Sequence, residues 1–104
     1  MIARIWHGWT KRADAKAYAE MLRNEIFPNI AARNIEGYHG AELFINQDAD
    51  EAEFVTLLRF DSMDAVRKFA GADASNPVIY PKAERLIARM EQARHYQIAT
   101  AKEL

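Results

Sequence analysis

The sequence has no cysteine, only four glycines and three prolines, and no apolar run long enough to span a bilayer. The missing thiol excludes disulfides, thiolate nucleophiles and cysteine-ligated metals. Four scattered glycines leave no phosphate-cradling loop and no dinucleotide fingerprint, both of which need clustered glycine. Neither sign of charge dominates: 14 Lys and Arg stand against 15 Asp and Glu, for a net charge of −1. The basic residues are interleaved with acidic ones, which argues against nucleic acid or an anionic membrane as partner, since phosphate binding needs a clustered basic surplus. No internal repeat or low-complexity stretch is present. The 104 residues make one domain, half of them apolar, enough for a single core. The chain opens on a strand pattern rather than a signal segment, which predicts a cytoplasmic protein.

What is present is a pair of strands that do not alternate cleanly. Residues 2–9 put Ile2 and Trp6 on one face and Ala3, Ile5 and Trp9 on the other. Residues 54–60 oppose Phe54, Leu58 and Phe60 to Val55 and Leu57. A strand packed on one side alternates apolar with polar; a strand apolar on both faces belongs to a sheet covered twice. The helices of this sequence cover one face. For so short a chain the simplest second cover is another copy of itself, so a homodimer is expected.

The first strand is expected over 2–9. Asp14 is placed to cap a helix in which Ala15, Tyr18, Met21, Leu22 and Ile26 recur at helical spacing. Pro28 kinks or restarts that helix before its end near Asn34. Gly37 and Gly40 bracket the entry to a second strand over 38–45, and the acidic stretch 46–51 predicts a solvated hairpin loop without a nearby cation. A third strand follows over 53–60. Asp61 or Ser62 caps the next helix, Met63, Val66 and Phe69 form its apolar face, and Gly71 stops it. Residues 72–81, with two prolines, predict a loop or single turn. A third helix is expected from about Lys82, with Ala83, Leu86, Ile87 and Met90 on one stripe. Tyr96 to Ala99, led in by Arg94 and His95, closes the pattern as a fourth strand. The order β-α-β-β-α-α-β predicts an α+β, ferredoxin-like fold: helices on one face of a four-stranded antiparallel sheet, with the first and third strands as its central pair.

The segments Met1-Ile-Ala-Arg-Ile-Trp-His-Gly-Trp9, Ile35-Glu-Gly-Tyr38, Leu58-Arg-Phe-Asp-Ser62 and Arg94-His-Tyr-Gln-Ile98 together resemble the antibiotic biosynthesis monooxygenase (ABM) domain. The resemblance covers 1–99 as one ABM-like domain and leaves 100–104 as a C-terminal tail. It implies a dimeric α+β barrel, a homodimer whose sheets meet face to face, with a pocket between each sheet and its helices. Some members oxidise aromatic polyketide-like compounds with O2 and no bound cofactor; others degrade haem. The haem degraders use an Asn on the first strand, a Trp on the second helix and a His ligand soon after it. Here Ile5 and Phe69 align with the first two, residues 63–90 contain no histidine, and Tyr80 lies nearest the ligand position. Haem degradation by that route is therefore not expected, nor is a bound cofactor.

Three histidines, at 7, 39 and 95, lack the spacing and carboxylate pairing of a metal site. His7 is the candidate general base, because imidazole titrates near neutrality and the alignment turns Ala3, Ile5, His7 and Trp9 towards the helices and the pocket. The alternative is a core histidine with its hydrogen bonds satisfied. His39 is expected at the surface, and the direction of His95 is not legible. Trp6 and Trp9 face opposite ways, as core, dimer contact or, for Trp9 together with Phe69, apolar pocket wall. Tyr80 lies between Pro77 and Pro81 on a loop placed either to cap the pocket mouth as a donor or simply to pack on the core. Arg59, a charge within an apolar strand, meets an anionic or phenolate substrate or pairs with Glu42 across the hairpin.

These parts give an expected cofactor-independent monooxygenase acting on a small aromatic (polyketide- or quinol-like) compound. His7 and Tyr80 would be catalytic, with Trp9, Arg59 and Phe69 binding substrate. A base removes a proton, the substrate's electron-rich ring hands an electron to O2, and a dry pocket protects the intermediate. The rivals are a non-catalytic binder of a small hydrophobic metabolite and a structural dimer with a filled cavity. Volume separates the last from the others, since ligand pockets run to about 300 Å³ or more.

Overall fold

A computed structural model describes the chain over residues 1–48 and 50–102. The elements are β1 (Ile2–Lys11), a 3-10 turn (Arg12–Asp14), α1 (Ala15–Met21), a π-helical turn (Leu22–Ile26), α2 (Phe27–Ala32), β2 (Tyr38–Gln47), β3 (Glu51–Phe60), α3 (Met63–Ala70), α4 (Pro81–Glu84), β4 (Ile87–Met90) and β5 (Arg94–Gln97). Of the expected tail, residues 103 and 104 lie outside the described range. No described helix is long and apolar enough to cross a membrane.

The sheet is antiparallel, in the order β2-β3-β1, with β4 and β5 both pairing the remaining edge of β1. β1 and β3 are the central pair, in register from Ile2 opposite Phe60 to Lys11 opposite Glu51. Five described strands thus fill four lanes, and the expected helix through Met90 is corrected: helix α4 stops at Glu84 and Ile87–Met90 is a strand. β1 is ten residues long, while β5 pairs only Ile2 to Ile5. The rest of that central edge would be left with unpaired amides and carbonyls, and β4 supplies partners for Gly8 to Thr10. The apolar stripe of residues 83–90 fits either conformation; the backbone demand of β1 decides.

Pro28 has no amide to give the carbonyl of Asn24, and the helix widens into the π turn immediately before α2. Asp14 stands at the head of α1 but makes no side-chain cap, because the 3-10 turn runs straight into the helix. Ser62 caps α3, its Oγ accepting from Ala65 N at 3.3 Å, and Gly71 ends that helix with φ 92°. The acidic hairpin is not without a cation: Glu51 pairs with Arg89 at 3.0 Å.

All the helices pack on one face of the sheet, where Trp6, Phe54, Leu58 and Phe60 meet Tyr18, Leu22, Ile26, Val66 and Phe69. Tyr18 stands edge-on to Phe54 with ring centres 4.8 Å apart. On β1 the helix-facing residues are Arg4, Trp6, Gly8 and Thr10; Ala3, Ile5, His7 and Trp9 point to the open face. The expected orientation of His7 and Trp9 towards the helices is thereby reversed. Gly8 supplies the reason. The Trp6 indole lies over it, and a Cβ there would sit 2.6 Å from Trp6 Cζ2, so the large ring and the bare backbone position belong on the packed side together.

Candidate functional site

Between the packed face of β1 and β3 and the helices lies a cavity of about 50 Å³, lined by Arg4, Trp6, Tyr18, Phe69 and Tyr80 among mostly aliphatic neighbours. An outer groove of about 410 Å³ is walled by Met21, Glu25, Asn29 and Lys82. Ile26 and Tyr80 line both spaces. The Tyr80 hydroxyl donates to Asn29 Oδ1 at 2.8 Å, fixing the segment before α4 against the helix opposite.

Arg4 is the cavity's charge, and only 3% of its surface is exposed. Its Nη1 donates to Ala74 O and, at 3.0 Å, to His95 Nε2; its Nη2 donates to Asn76 O at 2.9 Å. The guanidinium also stacks over Phe69, 5.5 Å from the ring centre. Among the described residues no ion pair includes Arg4. Burial pushes its pKa down to about 10, so it is a cation at neutral pH. His95 is held below its ordinary value by burial, then by Arg4 and Arg67. Trp6 is 6% exposed, and its Nε1 is buried without a hydrogen-bond partner. Burial raises the Tyr18 phenol, which keeps its proton.

The structure divides the sequence-derived candidates between two faces. Phe69 and Tyr80 line the cavity. His7, Trp9 and Arg59 do not. His7 Nδ1 lies 2.9 Å from Glu53 Oε2, Trp9 stacks under the Arg89 guanidinium at 3.9 Å, and Arg59 pairs with Glu42 at 2.6 Å, all on the open face. Pairing with Glu42 was one of the two fates weighed for Arg59. His39 is exposed and paired with Asp61 at 2.5 Å. With Ile5 on the open face, the first-strand residues that reach the cavity are Arg4 and Trp6 rather than the aligned position. Sequence reasoning missed Arg4, although it carries the signal noted for Arg59: a charge inside an apolar strand.

Helices on one side of an antiparallel sheet, a pocket beneath them and an opposite face that no described helix covers define a ferredoxin-like α+β fold. No protein-family model matches the sequence, and no curated protein matches it. Among solved structures it is similar to a Bacillus cereus protein provisionally assigned as an antibiotic biosynthesis monooxygenase, with 14% identity, TM-score 0.68, and coverage of 99% of this chain and 95% of that one. It is also similar to the haem degrader MhuD of Mycobacterium tuberculosis, solved with two haems in its active site, with 16% identity, TM-score 0.60, and coverage of 99% and 100%. At such identities the likeness is one of fold. The cavity offers haem iron none of its usual nitrogen or sulfur ligands: its lining contains no His, Met or Cys, and the Tyr80 hydroxyl is engaged by Asn29.

Proposed function

We propose that the protein is an ABM-type oxidase that takes a small aromatic compound into the space beneath its helices and oxidises it with O2. The observation that carries this reading is an apolar, aromatic-lined cavity built around one buried cation, with Ile26 and Tyr80 lining both it and a larger groove. At about 50 Å³ the cavity alone is smaller than a ligand pocket, so this reading requires Tyr80 to move and open it towards the groove. In the reaction proposed, a ring CH2 group flanked by carbonyl or phenol-bearing rings becomes C=O. One oxygen atom of O2 enters the ring, the other leaves as water with the two hydrogens of the CH2, and no external reductant is needed. The side chains exclude water and hold the ring; His7, on the far face of the sheet, is assigned no part in the proton transfer.

The same proposal includes a homodimer. The open face carries Ile5, Val55 and Leu57 side by side, flanked by Phe44 and Tyr96, each 48% exposed, and no described helix covers it. A second copy of the sheet covers that face without disturbing the cavity. Residence in the cytoplasm belongs to this reading too.

A second reading, a binder without turnover, is favoured by one observation: no histidine or carboxylate lines the cavity to serve as base. Oxygen uptake with anthrone- and quinol-type compounds, alongside calorimetric binding of the same panel, tests both. Uptake with a stoichiometric carbonyl product supports the oxidase. Binding without uptake leaves the binder, and neither result overturns the pocket altogether.

A further inference from the structure

We infer that the cavity is an oxyanion site, in which Arg4 and the Trp6 indole N–H hold the ionised oxygen of an acidic phenol or enol. This rests on the proposed pocket and specifies which form of the ligand it takes.

Two independent observations on one strand face support it. A guanidinium has five N–H donors, and neutral acceptors at Ala74, Asn76 and His95 account for three of them. Those acceptors solvate the cation, but among the described residues none compensates its unit charge, in a place where charge is costly unless paired. Two residues on, Trp6 presents a buried N–H with no hydrogen-bond partner among the described residues, and such groups are rare in folded proteins. Both side chains line the same cavity, and Thr56, directly across the ladder from Trp6, lines it as well. An apolar ligand satisfies neither group. A ligand ending in a negative oxygen supplies the counter-charge to Arg4 and an acceptor for the Trp6 N–H, which is enclosed by its neighbours until the cavity widens around a ligand; the ring then packs against Phe69 and reaches towards Ile26 and Tyr80.

The consequence is chemical. With no base in the lining, a cation held in low dielectric lowers the pKa of a bound hydroxyl and so favours the electron-rich anion, the form that donates an electron to O2. Arg4 would favour binding of the anion, whose hydroxyl proton is released to bulk water, so that no side chain in the cavity has to abstract it.

The test uses 4-nitrophenol, whose phenolate is coloured and whose phenol is not, with 4-nitrotoluene as the neutral isostere. Spectroscopic titration of the wild-type complex is expected to show ionisation shifted down by about one pH unit, a tenfold preference for the phenolate. Trp6→Phe is expected to weaken phenolate binding by about tenfold and leave 4-nitrotoluene unchanged. Arg4→Met abolishes the shift and Arg4→Lys restores most of it. Because Arg4 also ties down the segment carrying Ala74 and Asn76, the wild-type titration and Trp6→Phe decide the matter if Arg4→Met does not fold. Equal binding of phenol, phenolate and 4-nitrotoluene overturns the oxyanion site but leaves the pocket standing. An unshifted titration with Trp6→Phe indistinguishable from wild type overturns it equally. Failure of every probe to bind overturns the pocket reading itself.

Discussion

Arg4 and His95 lie opposite each other on neighbouring strands, and the guanidinium donates to His95 Nε2 across 3.0 Å. A guanidinium offers only donors, so Nε2 accepts, and the imidazole is neutral with its proton on Nδ1. Protonation sets two cations face to face, with Arg67 adding a third. Burial and these charges hold His95 below 6.5 when folded. The folded state therefore binds fewer protons than the unfolded one in this range. The stability this contributes is present in full above 6.5 and is lost as pH falls through that value towards the lower folded pKa. Urea midpoints should fall between about pH 7.5 and about pH 5 in the wild type and fall less in His95→Gln. Equal acid slopes in the two proteins would remove His95 from this role.

Gly8 and Trp6 form a packing pair that a single methyl disrupts. The Cβ of Gly8→Ala meets the buried Trp6 ring at under van der Waals distance, and the indole is held from above by helix side chains. Gly8→Ala should cost about 2–3 kcal/mol in denaturant unfolding, in the range of overpacked cores. In a Trp6→Leu background the same change should cost far less, because the obstructing ring is gone. That coupling, measured as a double-mutant cycle, separates a steric clash from any backbone effect of the substitution, which would add independently.

The central pair of strands and the split β-α-β order were legible in the sequence because two-sided apolar strands and helical stripes leave strong periodic signals. Which face of β1 the helices take was not. Period two defines two faces and is silent about their assignment, and a wrong choice moves every side chain on the strand at once. Here it carried His7 and Trp9 into the pocket and left Arg4 out. Gly8 beside Trp6 was the available clue, together with His7, Glu53 and Arg59, whose polar heads all belong to the side left bare by the helices. β4 was hidden for another reason: Ile87 and Met90 satisfy a helical stripe as well as a strand, and only the open edge of β1 chooses between them. Tyr80 was legible as a loop residue near a pocket because Pro77 and Pro81 exclude regular structure around it; its bond to Asn29, 51 positions away, was not.

That bond predicts a kinetic effect. Tyr80→Phe keeps the ring that lines both cavity and groove and removes its one hydrogen bond, which is exposed to solvent. Stability should change by less than about 1 kcal/mol. Ligand association and dissociation rates should both rise several-fold, with Kd moving less than either, as for a loosened gate. Stopped-flow binding of the 4-nitrophenol probe checks this. Rates identical to wild type would mean that ligands reach the cavity by another path.

Leu57 and Ile5 face each other directly across the central ladder, on the side without helices. A carboxylate placed there meets no buried core of its own protomer, so Leu57→Asp should preserve secondary structure and the helix-side packing. In a face-to-face dimer the same carboxylate is buried within the apolar contact between the two sheets, at a cost of several kcal/mol. Sedimentation should therefore show a dimer for the wild type at micromolar concentration and a folded monomer for Leu57→Asp. Lys16→Glu, at an exposed position on α1 away from the open face, is the matched control and should leave the assembly intact. A wild-type monomer, or a Leu57→Asp protein that still dimerises, would show that the open sheet face is not where two copies meet.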